Sequence, residues 1–201
     1  MKLFFSPTSP YVRKCMVVAH EVGLVGRIEL LPAAAHPVTR DPAIIASNPL
    51  GKVPTLVTDD GTPLYDSRVI CEYLNDLGGG SLFPTAGAAR WQALTLQSLA
   101  DGMLDAALLA RYEVAVRPEA LRWADWTNGQ VDKLHTSLTS LEGSCSGFGD
   151  RADIGTLAVA CALGYLDFRY ADMSWRARYP AVAQWAARLG QRPSMQASWS
   201  L

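Results

Sequence analysis

The sequence predicts two dissimilar halves: an α/β unit of order βαβαββα over residues 1–78, a linker over 79–87, and an all-helical bundle over 88–201. Up to Gly78, short β-like runs alternate with segments whose apolar residues recur every three or four positions. From Ala88 onward no strand-like alternation appears, and one helical periodicity follows another. Between the two, Gly78-Gly79-Gly80 closes the first pattern and SLFPTAGA reads as a surface linker.

The elements follow in order. KLFF at residues 2–5 reads as a short strand, and Ser9 then caps a helix that has Pro10 at its first position. Tyr11, Cys15, Val18, Ala19 and Val22 keep helical spacing, and Gly23 offers a stop. RIELL at 27–31 is expected as a second strand, parallel to the first because a helix joins them. Residues 42–47 allow one short helix before the loop NPLGK. PTLV and TPLY then form two short strands around the hairpin signal Asp59-Asp60-Gly61, and Ser67 is expected to cap a third helix, SRVICEYLNDL. This is the order of a thioredoxin-like domain with helices on both faces of a mixed sheet. The second half carries helical patterns at about 88–113, 118–142, 152–170 and 180–190. Asp150 with Asp153 resembles a capping box before IGTLAVACAL, a helix apolar nearly all round.

Composition narrows the function. Of 201 residues 49% are hydrophobic, enough for a substantial core, and 18 basic against 19 acidic residues leave a net charge of −1 with no general pull toward nucleic acid or anionic lipid. MKLFFSPTSP has too short an apolar run for a signal peptide, and no stretch approaches the roughly 20 apolar residues of a membrane span, so a cytoplasmic protein is expected. Cys15, Cys71, Cys145 and Cys161 form no CxxC pair, and His20, His36 and His135 are equally scattered, so no metal site is expected. The cysteines read as small core residues. Arg13 and Lys14 are expected on a solvated face of the first helix.

Three short motifs carry the chemistry: SPYVRK at the first helix N-terminus, NPLGKVPTL before the third strand, and Asp66-Ser67 at the next helix N-terminus. Ser9-Pro10-Tyr11-Val12 stands where a glutaredoxin has Cys-Pro-Tyr-Cys, with both thiols missing. In this order, followed by a helical half containing DRADIGTLA and RPSM, the chain resembles the cytosolic glutathione transferases along its full length. The SPY pattern looks most like serine-type enzymes such as plant tau members and bacterial relatives. The tyrosine of the animal alpha, mu and pi enzymes and the cysteine of the omega and beta types are absent.

The resemblance implies a glutathione transferase that activates the thiol of glutathione, its co-substrate, for conjugation to a small electrophile, working as a homodimer in detoxification. The implied binding residues are Lys52, Val53, Pro54, Asp66 and Ser67. Val53-Pro54 is where the thioredoxin-like fold places a cis bond, which would present the Val53 backbone to a peptide ligand as an added strand. The plainer alternative is that Pro54 merely begins an edge strand. Ser67 heads a helix, with the positive end of the dipole behind its NH, and suits the γ-glutamyl carboxylate. Asp66 would take the ammonium of the same unit, or simply cap the helix with Ser67. Lys52 either pairs with the glycyl carboxylate or is a solvated surface lysine.

Ser9 is the expected catalytic residue. A thiol of pKa about 8.5 is only a few per cent ionised at neutral pH, and lowering it by about two units takes about 2.7 kcal/mol of thiolate stabilisation. A hydroxyl hydrogen bond to a charged group supplies roughly 1.5–3 kcal/mol and a helix N-terminus roughly 0.3–1 more. Ser6 and Thr8 compete for this task, and Ser9 acting only as a cap is the bland alternative. The electrophile site is weakly marked. In this family it lies between the domains, so LLARYEV offers Arg111 and Tyr112 as a wall, with a surface arginine and a core tyrosine as the plainer account. The competing function is a glutathione-binding regulatory or stress protein with little turnover.

Overall fold

The computed structural model describes residues 1–198. β1 (Lys2–Phe5) and β3 (Thr55–Val57) form the middle of a four-stranded sheet of order β2-β1-β3-β4, with β2 at Glu29–Pro32 and β4 at Pro63–Leu64. β1 and β2 run parallel, Lys2 opposite Glu29, whereas β3 is antiparallel to both β1 and β4. The sheet is therefore mixed, and the order βαβαββα is that of a thioredoxin-like domain. β2 begins two residues later than the apolar run suggests, because Val25–Arg27 winds into a 3-10 turn first.

α1 (Pro10–Glu21) packs against α3 (Ser67–Leu77), while α2 is one turn long at Pro42–Ile45. Leu3, Val12, Cys15, Leu56, Ile70 and Leu74 are buried in this core. The triple glycine is a point of close approach as well as a helix stop. A Cβ on Gly78 would lie 2.7 Å from that of Val22, and one on Gly80 would lie 2.6 Å from Asn75 Oδ1. The following segment is anchored at two residues. Leu82 and Phe83 are buried, and the Leu82 amide donates to Asn75 Oδ1 at 2.9 Å.

The chain divides into two compact units, Met1–Arg90 joined by the tail from Gln191 on, and Trp91–Gly190. The tail carries α9 (Pro193–Ala197), which packs on α1. This reverses the expectation for Arg13 and Lys14, which are buried and not solvated. Arg13 donates from Nε to Ser198 Oγ and from Nη2 to the Met195 carbonyl, both at 3.3 Å, so the tail covers a face of α1 that charge alone would assign to solvent. At the other end of α1, Arg192 grips Glu21 with two bonds, at 2.9 and 2.7 Å, and Ser194 donates to the same carboxylate.

The Arg192 hydrogen bonds, aided by Ser194 and opposed by burial, hold the Glu21 carboxyl below its ordinary 4.5. A depressed carboxylate stabilises the fold above its unfolded pKa, and that contribution is lost as pH falls through the lower, folded value. Glu21→Gln is accordingly expected to lower the urea midpoint at neutral pH, and the gap to the parent should narrow below about pH 4.5. A gap that stays constant down to about pH 3 would show that the ion pair does not link the tail to folding.

The second unit is helical. Among the described residues its α-helices are α4 (Gly87–Ala115) from Trp91 on, α5 (Ala124–Ser144), α6 (Ile154–Arg169), the single turn α7 (Trp175–Arg178) and α8 (Pro180–Leu189). α5 begins at Ala124 and not near 118, because Pro118 leads into a 3-10 turn over Glu119–Leu121. Every residue of α6 from Ile154 to Leu166 is buried. Its capping box is formed by Asp153 and Thr156, one step along from the expected pair with Asp150. Glu142 on α5 accepts from the Ala181 and Val182 amides at 3.0 and 2.9 Å, satisfying the N-terminus of α8 from another helix. Phe148 meets Trp185 edge to face, with centroids 5.3 Å apart. Among the described residues no helix is long and apolar enough to cross a membrane.

Candidate functional site

Strand register brings the three sequence motifs to one end of the sheet. β1 ends at Phe5 and leads through Ser6–Thr8 to Ser9 at the head of α1. Because β3 is antiparallel to β1, with Thr55 opposite Phe4, the chain enters β3 through Val53-Pro54 at that same end. β4 is antiparallel in turn, Leu56 opposite Leu64, so it leaves the sheet there through Tyr65 into Asp66-Ser67. Residues more than fifty positions apart thus share one rim, and the heads of α1 and α3 both open onto it.

Ser9 is the N-cap of α1. Its backbone is extended at φ −82° and ψ 118°, and its Oγ accepts from the Val12 amide at 3.3 Å. A hydroxyl that accepts in this way keeps its own hydrogen for a second partner, so capping and donation to an anion are compatible. Ser9 is half-buried, and its amide donates to the Ser6 carbonyl at 3.0 Å, closing the turn. The hydroxyls of Ser6 and Thr8 face each other instead, 3.4 Å apart.

Val53-Pro54 is a cis peptide, as is Tyr65-Asp66. Val53 is half-buried, and Pro54 is buried just before β3 begins at Thr55. Asn48, which opens the NPLGKVPTL motif but is not among the expected binding residues, organises the loop before them. Its buried amide donates to Thr55 Oγ1 at 2.9 Å and to the Lys52 carbonyl at 3.2 Å, and its Oδ1 accepts from Leu50 N at 3.0 Å. Thr55 Oγ1 also donates to the Lys52 carbonyl at 2.8 Å. The backbone of Lys52 is therefore fixed while its side chain is exposed. The only sequence signal for this role is the Asn-Pro pair that opens the turn.

At α3 the capping assignment changes. Asp66 is the N-cap, accepting from the Arg68 amide at 2.9 Å, and Ser67 is the first helical residue, not the cap. Asp66 is exposed and Ser67 buried. The Ser67 amide belongs to the first helical turn, whose NH groups have no partner within their own helix, and its carbonyl faces Cys15 Sγ at 3.8 Å. An exposed carboxylate, the amide end of a helix, an extended segment ahead of β3 and a serine at a second helix N-terminus together suit a small zwitterionic peptide. Among the described residues no cluster of three or more His, Cys, Asp or Glu side chains could hold a metal ion.

Residues 8–77 match the model of the glutathione S-transferase N-terminal domain, and residues 124–188 match that of the C-terminal domain. The uncharacterized GST-like protein YibF of Escherichia coli is 35% identical over 199 residues, covering 96% of each chain. A glutathione transferase family member from Pseudomonas fluorescens, crystallised with glutathione, superposes with a TM-score of 0.95 at 47% identity, over 98% of this chain and 97% of that one. A Pseudomonas fluorescens family member solved with S-(propanoic acid)-glutathione superposes with a TM-score of 0.90 at 46% identity, over 98% of each.

Proposed function

The chain belongs to the glutathione S-transferase family, and on that premise we propose that it is a serine-type glutathione transferase. It binds glutathione along the sheet rim and conjugates its thiol to a small electrophile. The observation that carries this reading is the convergence of Ser9, Val53-Pro54 and Asp66-Ser67 at one end of the sheet. Glutathione bound to the Pseudomonas relative supports the ligand, and the S-conjugate in the second structure supports a site with room for a small S-substituent.

In this reading the cysteinyl unit pairs with the Val53 backbone as an added strand, and Pro54 sets the approach of that segment. The γ-glutamyl carboxylate sits on the Ser67 amide and hydroxyl at the head of α3, and its ammonium faces Asp66. Lys52 meets the glycyl carboxylate from the rim. The sulfur then lies at the head of α1, where the Ser9 hydroxyl donates to the thiolate and neither takes its proton nor attacks. The thiol proton leaves to solvent, and the thiolate attacks the electrophile.

Turnover of a nitro-activated aryl halide with glutathione tests the transferase reading, since a protein that binds glutathione only to sense it shows none. The anchors are tested apart from turnover. Asp66→Lys and Ser67→Phe are expected to abolish calorimetric binding of glutathione while the far-ultraviolet circular dichroism keeps its parental shape. Parental affinity in both variants would remove this site.

We also propose a two-fold homodimer, the commonest closed assembly, and place it on the α4 face that leaves Trp91 66% and Leu109 44% exposed. Sedimentation should show a dimer at micromolar concentration, and Trp91→Glu should shift it to monomer. A parental protein that stays monomeric ends this proposal.

A further inference from the structure

The segment that leads into β3 is held from inside by a triangle of polar groups. Asn48 and Thr55 are both buried, and between them along the chain lie Lys52 and Val53. Asn48 Nδ2 donates to Thr55 Oγ1 at 2.9 Å and to the Lys52 carbonyl at 3.2 Å, and Thr55 Oγ1 donates to that same carbonyl at 2.8 Å. Both amide hydrogens and the hydroxyl hydrogen are thereby used, and so are both lone pairs of the carbonyl. Two corners are tied to different parts of the domain. The Asn48 backbone amide donates to the Ile44 carbonyl of α2 at 2.7 Å, and Thr55 opens β3 opposite Phe4 of the central strand β1.

Fixing that carbonyl also fixes the amide beside it. The peptide between Lys52 and Val53 is trans and planar, so its NH points opposite to its C=O. With the Lys52 carbonyl drawn in toward the buried triangle, the Val53 NH is turned away from it. Val53 is half-buried, and among the described residues no hydrogen bond uses its amide or its carbonyl. Backbone groups of a folded chain nearly always find a partner, so a fixed and unsatisfied amide at the sheet rim calls for one from outside the chain or from solvent.

We propose that Asn48 and Thr55 are positioning residues for glutathione, which draw in the Lys52 carbonyl and so aim the Val53 amide at the cysteinyl unit of the bound peptide. The inference rests on glutathione binding at the sheet rim and adds what presents the backbone there. Neither side chain touches the ligand. Their effect is that the segment is already ordered when the peptide arrives, so binding does not bear the entropy of ordering it.

The test is a cycle that changes the protein and the ligand in turn, read by calorimetry. Thr55→Val keeps the shape of the side chain and removes the hydroxyl. It should raise the Kd for glutathione about three- to tenfold, the effect of one ordinary hydrogen bond, whereas Thr55→Ser, which keeps the hydroxyl, should stay near the parent. Asn48→Ala cuts the triangle at another corner and should weaken binding as Thr55→Val does. The ligand change is glutathione methylated on the cysteinyl nitrogen. Opposite residues of paired strands exchange two bonds, and the methyl group removes the one that the ligand donates to the Val53 carbonyl. The parental protein should bind this analogue about three- to tenfold more weakly than glutathione, and the ratio should shrink toward one in Thr55→Val, where Val53 is no longer held for pairing. A parental ratio that persists unchanged in Thr55→Val overturns the positioning role and leaves the rim site standing. So does an equal loss of affinity in Thr55→Val and Thr55→Ser, which would trace the effect to packing and not to the hydroxyl. A parental protein that binds both ligands equally would instead sink the pairing on Val53, and this inference with it.

Discussion

Replacing Ser9 with alanine is expected to lower the rate of glutathione conjugation roughly ten- to a hundredfold, equivalent to about 1.4–2.7 kcal/mol of lost thiolate stabilisation. The reason is the double use of one hydroxyl. Its oxygen accepts from the Val12 amide, and its hydrogen remains for the sulfur. Glutathione affinity should change far less, since the anchoring groups lie on β3 and α3. The loss should also shrink as pH rises, because solvent then ionises the thiol unaided. Part of any effect is structural, for removing a cap costs about 1 kcal/mol of stability, so the rate is read well below the variant's melting temperature. Ser9→Asp keeps an N-cap but, when ionised, has no hydrogen to donate, and should restore stability without restoring the rate. A Ser9→Ala protein that keeps the parental rate across the pH range moves the donor elsewhere, with Ser6 and Thr8 the next to replace.

Gly155→Val is expected to destabilise the helical unit by roughly 3 kcal/mol, the upper part of the range for overpacking a filled core. Gly155 sits in the first turn of α6 against α4, and a Cβ there would lie 2.6 Å from the Ala93 carbonyl oxygen and 2.9 Å from Leu96 Cβ. The first contact is with backbone, so no rotamer change relieves it and the two helices must separate. For a chain of this size the melting temperature should fall by roughly 6–12 °C. Gly143→Ala is the control. That glycine lies in α5 with nothing within 4 Å of where a methyl group would stand, and the change should stabilise by roughly 0.5–1 kcal/mol through helix propensity alone. Equal melting temperatures for Gly155→Val and the parent would show that α4 and α6 are not in close contact at this point.

Short-range chemistry is what the sequence makes legible. Ser9 and Pro10 announce a helix start because an N-cap oxygen and a residue lacking an NH suit that place and few others, and α1 begins there. Asp59-Asp60-Gly61 announces the hairpin because the turn needs a positive φ, which Gly61 supplies at 89°. Where the capping residue at α3 and α6 differs from expectation the difference is also local, one position at α3 and three at α6, because aspartate, serine and threonine compete for the same cap.

Burial and convergence are another matter. Nothing near Arg13 and Lys14 in sequence signals that they are buried; α9, about 180 residues further on, packs on the helix that carries them. Asn48 is ordinary until Thr55 and the Lys52 carbonyl are beside it. The sheet rim exists only because β3 runs antiparallel to both neighbours, which carries Val53 and Asp66 to the end where Ser9 emerges. The elements, their order and the residue types at each helix head are written in the chain itself, since they follow from backbone and side-chain chemistry within a turn or two. Which of those residues meet is settled in three dimensions, because strand register and helix packing are set by contacts whose partners lie far apart along the chain.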